Sequence, residues 1–435
     1  MADPADLQQV GPWPRGVANT FDETDPRYSP NDAGAYLREA VNVDVDNVGW
    51  VRRRGGRSKL LDLTDAHSAA FVGGRFLLVD DGALYEAFPD PVGLSATRTA
   101  IASGLSNDLM SYCHAGGRVW WCNGSQAGHI DETGSAGMWW VPEPFIPTLT
   151  ATAGNLPAGR YMVALTSQIG ERESGCFGTA AITLTETGGI TVGPLLVEQS
   201  AETINVYLSD TNDEALLWAI SVPVGTSTVD LVAPAQSTDL LRTLNFTGPP
   251  DGARIVREFQ GSLVVVADRD LYWSDPLGFH LFKRDRDVVS FADLPVMLEV
   301  LQQGDPAGFG FYLAEGPRTW WIGADWQRRL VDTRPVLAGS ALWVPGTKLP
   351  RVETTAMVLV WVTHSGPVAG LPGGVIVPLT EDVVAMDGYE QASVAYREQD
   401  GLAQILMSMK GKRGDATTRL ATADRMDAVV IRGGG

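Results

Sequence analysis

Gly74-Arg-Phe-Leu-Leu-Val-Asp-Asp-Gly-Ala-Leu-Tyr85, Gly117-Arg-Val-Trp-Trp-Cys-Asn-Gly124 and Gly261-Ser-Leu-Val-Val-Val-Ala-Asp-Arg-Asp-Leu-Tyr-Trp-Ser274 are versions of one phrase. Each opens on a glycine, runs through apolar strand formers, and ends in a turn, often with an aromatic nearby. Weaker versions stand at Gly308–Gly316, Met357–Gly366 and Leu402–Met409. Outside one long gap, successive starts lie roughly 43 to 50 residues apart, the length of one four-stranded propeller blade. Short runs of Val, Leu, Ile, Thr and aromatics bounded by Gly, Asp, Asn or Pro mark strands and tight turns. The only helical candidates are Ala35–Val41 and Asp415–Ala428. Trp120, Trp121, Tyr272, Trp273, Trp320, Trp321 and Trp361 are large enough to fill wedges between diverging blades.

The gap from Gly117 to Gly261 exceeds one blade by about 100 residues, the usual size of an immunoglobulin-like sandwich. Short strand-like runs fill it: Gly159–Gly175, Ala181–Thr185, Gly189–Val192, Ile204–Ser209 and Leu216–Ile220. The expected fold is therefore all-β: a β-propeller of about six blades with an inserted immunoglobulin/fibronectin-like β-sandwich. The expected divisions are an extended N-terminal arm and first hairpin (1–60), a first propeller part (61–144), the insert (145–250) and a second propeller part (251–435). In the first hairpin, Val41, Val43 and Val45 alternate along a strand, Asp46–Gly49 turn, and Trp50 and Val51 begin the return.

The 435 residues carry 52 acidic against 33 basic side chains, a net charge of −19. That balance opposes a generally basic nucleic-acid binder, which needs a positive field facing phosphates. No apolar run approaches the about 18 residues that would mark a spanning helix. Met1–Val10 lacks the charged start and apolar middle of a signal peptide. Cys113, Cys122 and Cys176 are odd in number and poorly spaced for a disulfide framework or zinc site, and read as reduced structural thiols.

Motifs for catalysis are absent or weak. There is no phosphate-cradling GxxxxGK[ST] or GxGxxG after a strand, no HExxH and no GxSxG elbow. His67, His114, His129, His280 and His364 are scattered. Asn42, Asp44, Asp46 and Gly49 loosely match a calcium loop but lack a third acidic ligand and a closing Glu, so a hairpin turn explains them better. Ser274–Gly278 loosely matches the sialidase Asp-box, itself a structural turn. Arg413-Gly414-Asp415 matches an adhesion tripeptide that such a Gly- and Asp-rich chain produces by chance. No catalytic residue, metal ligand or cofactor is expected. The one strong charge run is Arg52, Arg53, Arg54, Arg57 and Lys59. It reads either as a solvated strand end or as an electrostatic contact with an acidic neighbour, such as another copy of the chain.

Gly11-Pro-Trp-Pro-Arg-Gly-Val-Ala-Asn-Thr20, Leu37-Arg-Glu-Ala-Val-Asn-Val-Asp-Val-Asp46 and Val51-Arg-Arg-Arg-Gly-Gly56 resemble the start of a family of tailed-bacteriophage virion proteins. Gly159–Gly175, Leu271–Pro276 and Ala421–Asp427 with Arg432-Gly433 fit the same resemblance. Within tailed phages the chain is most similar to the tail nozzle (tail hub) family of short-tailed phages. Many nozzles are longer, which leaves a related propeller protein at a tail tip as the neighbouring possibility. The resemblance implies a homo-hexameric ring of propeller subunits in the virion, made in the host cytoplasm. The ring would sit below the portal adaptor ring, contact tail fibres and possess no catalysis. Double-stranded DNA would pass through its lumen without specific binding, and an acidic lumen would repel it. Two further functions remain open: a receptor-binding or fibre-anchoring protein touching the host surface, favoured by the insert, and a propeller-type glycan-degrading enzyme. The arm of residues 1–32, poor in its own core, is expected to order on assembly.

Overall fold

The structure is a computed structural model. It describes residues 24–28, 36–37, 43–45, 51–53, 60–90, 92–93, 95–198, 200–302, 306–380, 385–386, 388–399, 402–411 and 426–429. Contacts divide the chain into two compact units, Leu60–Ser290 and Met1–Lys59 with Phe291–Gly435. Both are built from small antiparallel sheets, as an all-β, propeller-like chain requires.

In the unit Leu60–Ser290, three sheets are simple meanders in chain order. Sheet one joins β3 (His67–Val72), β4 (Arg75–Asp80), β5 (Ala83–Asp90) and β6 (Ser95–Ser103). Sheet two joins β7 (Ser111–Ala115), β8 (Arg118–Cys122), β9 (Ala127–Ile130) and β10 (Ala136–Met138). Sheet three joins β19 (Ala253–Phe259), β20 (Ser262–Ala267), β21 (Asp270–Asp275) and β22 (Gly278–Phe282), and β23 (Val288–Ser290) also pairs with β21. The other unit holds the hairpin of β1 (Val43–Val45) and β2 (Val51–Arg53), and three more meanders. Sheet four joins β24 (Pro295–Leu301), β25 (Gly310–Glu315), β26 (Arg318–Gly323) and β27 (Arg328–Asp332). Sheet five joins β28 (Leu342–Pro345), β29 (Met357–Thr363), β30 (Gly366–Leu371) and β31 (Val375–Pro378). Sheet six joins β32 (Tyr389–Gln399), β33 (Leu402–Gly411) and β34 (Met426–Val429).

The repeated phrase falls on the second strand of all six meanders: β4, β8, β20, β25, β29 and β33. Its leading glycine has a local cause in the first three. Gly73-Gly74, Gly116-Gly117 and Gln260-Gly261 are two-residue hairpin loops with both residues at positive φ, as a type I′ turn demands. The continuous apolar run that follows reflects burial on both faces. In β8, Val119 and Trp121 point into the core shared with sheet one, while Trp120 and Cys122 point into the core shared with sheet three. In β29, Leu359 and Trp361 face the core shared with sheet four, and Val358, Val360 and Val362 the core shared with sheet six. Four of the aromatics expected between sheets, Trp120, Trp121, Trp321 and Trp361, lie in such cores; Trp273 and Trp320 are only half-buried.

Several glycines serve packing rather than turning. Gly128 pairs directly with Trp121 across β8 and β9, and a Cβ there would stand 2.5 Å from the indole. A Cβ on Gly370 would meet Trp361 at 2.4 Å and Tyr312 at 2.6 Å. Bare backbone lets a large ring lie flat on the neighbouring strand.

Between sheets two and three stand eight strands: β11 (Thr148–Leu156), β12 (Gly159–Ile169), β13 (Arg172–Glu173), β14 (Thr179–Leu184), β15 (Gly188–Gly193), β16 (Thr203–Ser209), β17 (Leu216–Pro223) and β18 (Val229–Leu231). They form a sheet ordered β11-β15-β18 and a second ordered β13-β12-β16-β17, with β14 also on β12. The two sheets close on one aliphatic core that includes Leu156, Val163, Leu165, Ile190, Val192, Ile204, Val206 and Leu231. On the second sheet's other face, Ala164, Tyr207 and Leu216 pack with Cys176, Leu241 and Leu244.

Cys113, Cys122 and Cys176 are free and buried. The first hairpin pairs Val45 with Val51 and Asp44 with Arg52, one residue on from the pairing of Val45 with Trp50 that a turn at Asp46–Gly49 implies. Of the helical candidate Asp415–Ala428 only Met426–Ala428 is described, and there the chain is strand β34, paired with β33. Ser274–Gly278 is the turn between β21 and β22. Of the arm of residues 1–32 only 24–28 are described, with a single 3₁₀ turn at Pro26–Tyr28; the turn Asp46–Gly49 and Arg413–Asp415 lie outside the described residues.

Candidate functional site

The charge run singled out in the sequence is only partly described. Arg52 and Arg53 lie in β2, opposite Asp44 and Val43. Arg54, Arg57 and Lys59 lie outside the described residues. Two other places in the unit Leu60–Ser290 gather polar chemistry that sequence reasoning did not bring together.

The first is the joint that seats the inserted strands on sheets two and three. Arg172, 9 % exposed, donates to the carbonyls of Met138 at 3.1 Å and Trp139 at 2.9 Å. Met138 also accepts from His129 Nδ1 at 2.9 Å, which fixes the proton on that nitrogen because a carbonyl only accepts. His280 Nε2 donates to the Glu173 carbonyl at 2.8 Å by the same reasoning. The Glu173 carboxylate is held by Thr166, by Asn205 at 3.2 Å and by the Tyr207 hydroxyl at 2.6 Å. Ser167 Oγ donates to the Pro142 carbonyl. Trp139 Nε1 reaches the Phe279 carbonyl at 2.8 Å, and Trp139 packs with Trp120 and Phe282.

The joint is crowded with potential cations. Burial, followed by the nearby Arg172 charge, holds His129 down to about 4. Burial likewise brings His280 down to about 4, partly opposed by its hydrogen bond to Glu173. Burial, then the charge of Arg118, brings Arg172 to about 10. Both imidazoles are therefore neutral donors at neutral pH, and their role is structural. They came from sequence positions with no shared motif; the one local sign was Glu171-Arg-Glu-Ser174 set between Gly170 and Gly175.

The second place is a cleft of about 660 Å³ beside the joint. Trp121, Trp140 and Phe145 give it aromatic walls, and Glu143, Glu198 and Asp251 give it carboxylates. Glu143 accepts the Gly248 N–H at 3.0 Å, and burial raises its carboxyl above the ordinary value. The lone cation of the lining, Arg284, is engaged with the carbonyls of Gly248 at 3.0 Å and Pro249 at 2.7 Å and with Asp251 at 3.4 Å. Trp121 is 6 % exposed, and its buried Nε1 has no hydrogen-bond partner. Phe145 and Ile146, 68 % and 59 % exposed, continue the apolar surface outward; Ile146 lies against Gly178, next to Phe177 at 76 % exposed.

Among the described residues no group of three or more His, Cys, Asp or Glu is placed to hold a metal ion. No helix of the described residues is long and apolar enough to cross a membrane.

No protein-family model matches the chain. No curated protein matches it either. Solved structures give distant likenesses. A streptogramin B lyase structure is 9 % identical, with a TM-score of 0.29, covering 77 % of this chain and 87 % of that one. The N-terminal domain of Nup159 is 9 % identical, with a TM-score of 0.27, covering 78 % and 72 %. AztD of Citrobacter koseri is 11 % identical, with a TM-score of 0.20, covering 84 % and 86 %. Likenesses this distant carry no argument about what the chain does.

Proposed function

We propose that the chain is a structural virion protein of a tailed phage, one subunit of a ring-shaped tail nozzle that conducts the genome and anchors other tail parts. In this reading the six meanders are six blades of one propeller. The inserted strands form an immunoglobulin-like module: β11–β15 pair as strands B and E do, and β14-β12-β16-β17 follow the order C′-C-F-G. The module departs from that family in lacking strand A, and β18 stands beside E where D would be.

The observation that carries the reading is the mounting of this module. Two chain crossings and a buried network of Arg172, Glu173, His129 and His280 fasten it to sheets two and three. A rigidly seated side domain suits a scaffold that other parts attach to. The net charge of −19 suits a wall past which DNA slides without being gripped. The partners of this reading are five further copies, the portal adaptor ring, tail fibres and DNA in transit, all in the virion. Electron microscopy of virions labelled with antibody against residues 145–250 tests it. Label on a six-fold ring below the portal is the expected result. A chain absent from virions, or found in a three-fold spike, overturns it.

A second reading, fibre anchoring or receptor binding, is favoured by the exposed Ile146 and Phe177 on the insert. Virions carrying Ile146→Ser and Phe177→Ser would then keep their ring but lose fibres or adsorption.

A further inference from the structure

The cleft of the unit Leu60–Ser290 has the chemistry of a peptide groove. Aromatic walls suit proline-flanked segments, whose prolines fix φ in advance and so leave little conformational freedom to lose on docking. The lining holds three carboxylates and one guanidinium, and that guanidinium is already engaged. The cleft therefore favours a segment with one cation and no acid.

One stretch of this chain has that composition. Leu7–Phe21 contains a single charged residue, Arg15, within an acidic protein, and at its centre Trp13 sits between Pro12 and Pro14. It lies in the N-terminal 23 residues, outside the described part. Seven residues stand between Gly16 and Thr24, a reach of up to about 28 Å when extended. We propose that the cleft receives Gly11-Pro-Trp-Pro-Arg-Gly16 of a second copy of this chain. Trp13 packs against Trp140 and Phe145, and Arg15 meets Glu198. The contact is head-to-tail, arm of one copy into cleft of the next, and so propagates or closes a ring. It requires only that copies meet, whether or not the protein is a virion component.

The test uses the full-length chain. Trp13→Ala should weaken self-association in sedimentation velocity by about 30-fold, the loss typical of a central aromatic anchor. The Trp13→Ala chain, its cleft then unfilled, should bind a fluorescein-labelled peptide of residues 9–18 in an anisotropy titration. Adding Phe145→Ala or Glu198→Lys should weaken that binding at least about tenfold. Both positions are exposed, so the far-ultraviolet circular dichroism of these variants should match the parent. Rising salt should weaken the Arg15 contribution. Three results overturn the proposal: unchanged self-association of Trp13→Ala, peptide binding indifferent to Phe145 and Glu198, or a wild-type chain that stays monomeric while Trp13→Ala binds peptide. The last would place the segment in its own chain's cleft.

Discussion

Strand β29 and strand β11 solve the burial problem in opposite ways. In β29, six of seven positions are buried, because sheet five is covered on both faces. In β11 only Leu156 at the end is buried, and the rest alternates between half-buried and exposed. Sheets two and five are covered on both faces. In the insert, the sheet β11-β15-β18 packs on the shared aliphatic core, while the second sheet carries a further small cluster on its other face. A residue lost from sheet two or sheet five therefore disturbs a layer wedged between two others. A residue lost from the insert disturbs one domain's core.

Matched core deletions should expose this difference most strongly. Leu359 in β29 and Leu156 in β11 are both fully buried. Leu→Ala at such positions costs about 2–5 kcal/mol; Leu359→Ala is expected at the top of that range and Leu156→Ala at its lower end. Urea unfolding monitored by circular dichroism measures both. A Leu359→Ala loss no larger than that of Leu156→Ala would contradict wedge packing of sheets four and five.

The joint between the two regions should respond to acid. Unfolded histidine takes up a proton near pH 6.5, whereas folded His129 and His280 stay neutral down to about 4. Unfolding therefore binds protons between those values, and stability falls as pH falls through that window. The slope is about 1.4 kcal/mol per pH unit per histidine, levelling off below it. Asp80 behaves differently. The Arg98 hydrogen bond holds its carboxyl low, so its contribution is lost only at still lower pH. His280→Gln keeps an N–H donor and should remove about half of the histidine slope in urea midpoints measured between pH 7 and pH 4. An unchanged slope would mean His280 is not protected from protonation.

Arg172→Met tests the same joint without titration. It leaves the Trp139 carbonyl buried without its donor, and hydrogen bonds from charged groups are worth about 1.5–3 kcal/mol. The expected signature is preferential: cleavage of the 142–147 and 247–252 connections should accelerate in limited proteolysis, while Met357–Leu371 stays protected. Uniform acceleration would mean that the insert and the sheets open together.

Much of the meander architecture was legible because its cause is local. Two-sided burial writes continuous apolar runs, and type I′ loops write Gly73-Gly74 and Gly116-Gly117. The joint was illegible because its parts come from Met138, Arg172 and His280, which share no periodicity and meet only after the insert folds. Gly128 and Gly370 carry no signature in the sequence: they lie inside strands as seats for Trp121 and Trp361. Gly128→Ala measures that role directly. Its Cβ would press on the Trp121 ring and on the Gly137 carbonyl at 2.9 Å, and overpacking of this kind costs about 1–3 kcal/mol. The same variant should disturb the cleft, since Trp121 lines it.

The smallest effect is expected at Phe177→Ser. Phe177 is 76 % exposed, and no core of either region includes it. Substitution of such a surface residue away from caps and networks changes stability by no more than about 0.5 kcal/mol. Its neighbour Cys176 is the instructive contrast: buried at 2 % exposure, with its thiol raised by burial, it packs with Ala164, Tyr207 and Leu216. Cys176→Ser keeps the donor bond to the Gly178 carbonyl but places a more polar group among apolar neighbours and should cost about 1 kcal/mol. One residue along the chain thus separates a position that holds the insert together from one the fold does not need. If Phe177→Ser destabilises as much as Cys176→Ser in the same urea titration, Phe177 is covered in solution, and the insert's apolar face belongs to an interface between copies.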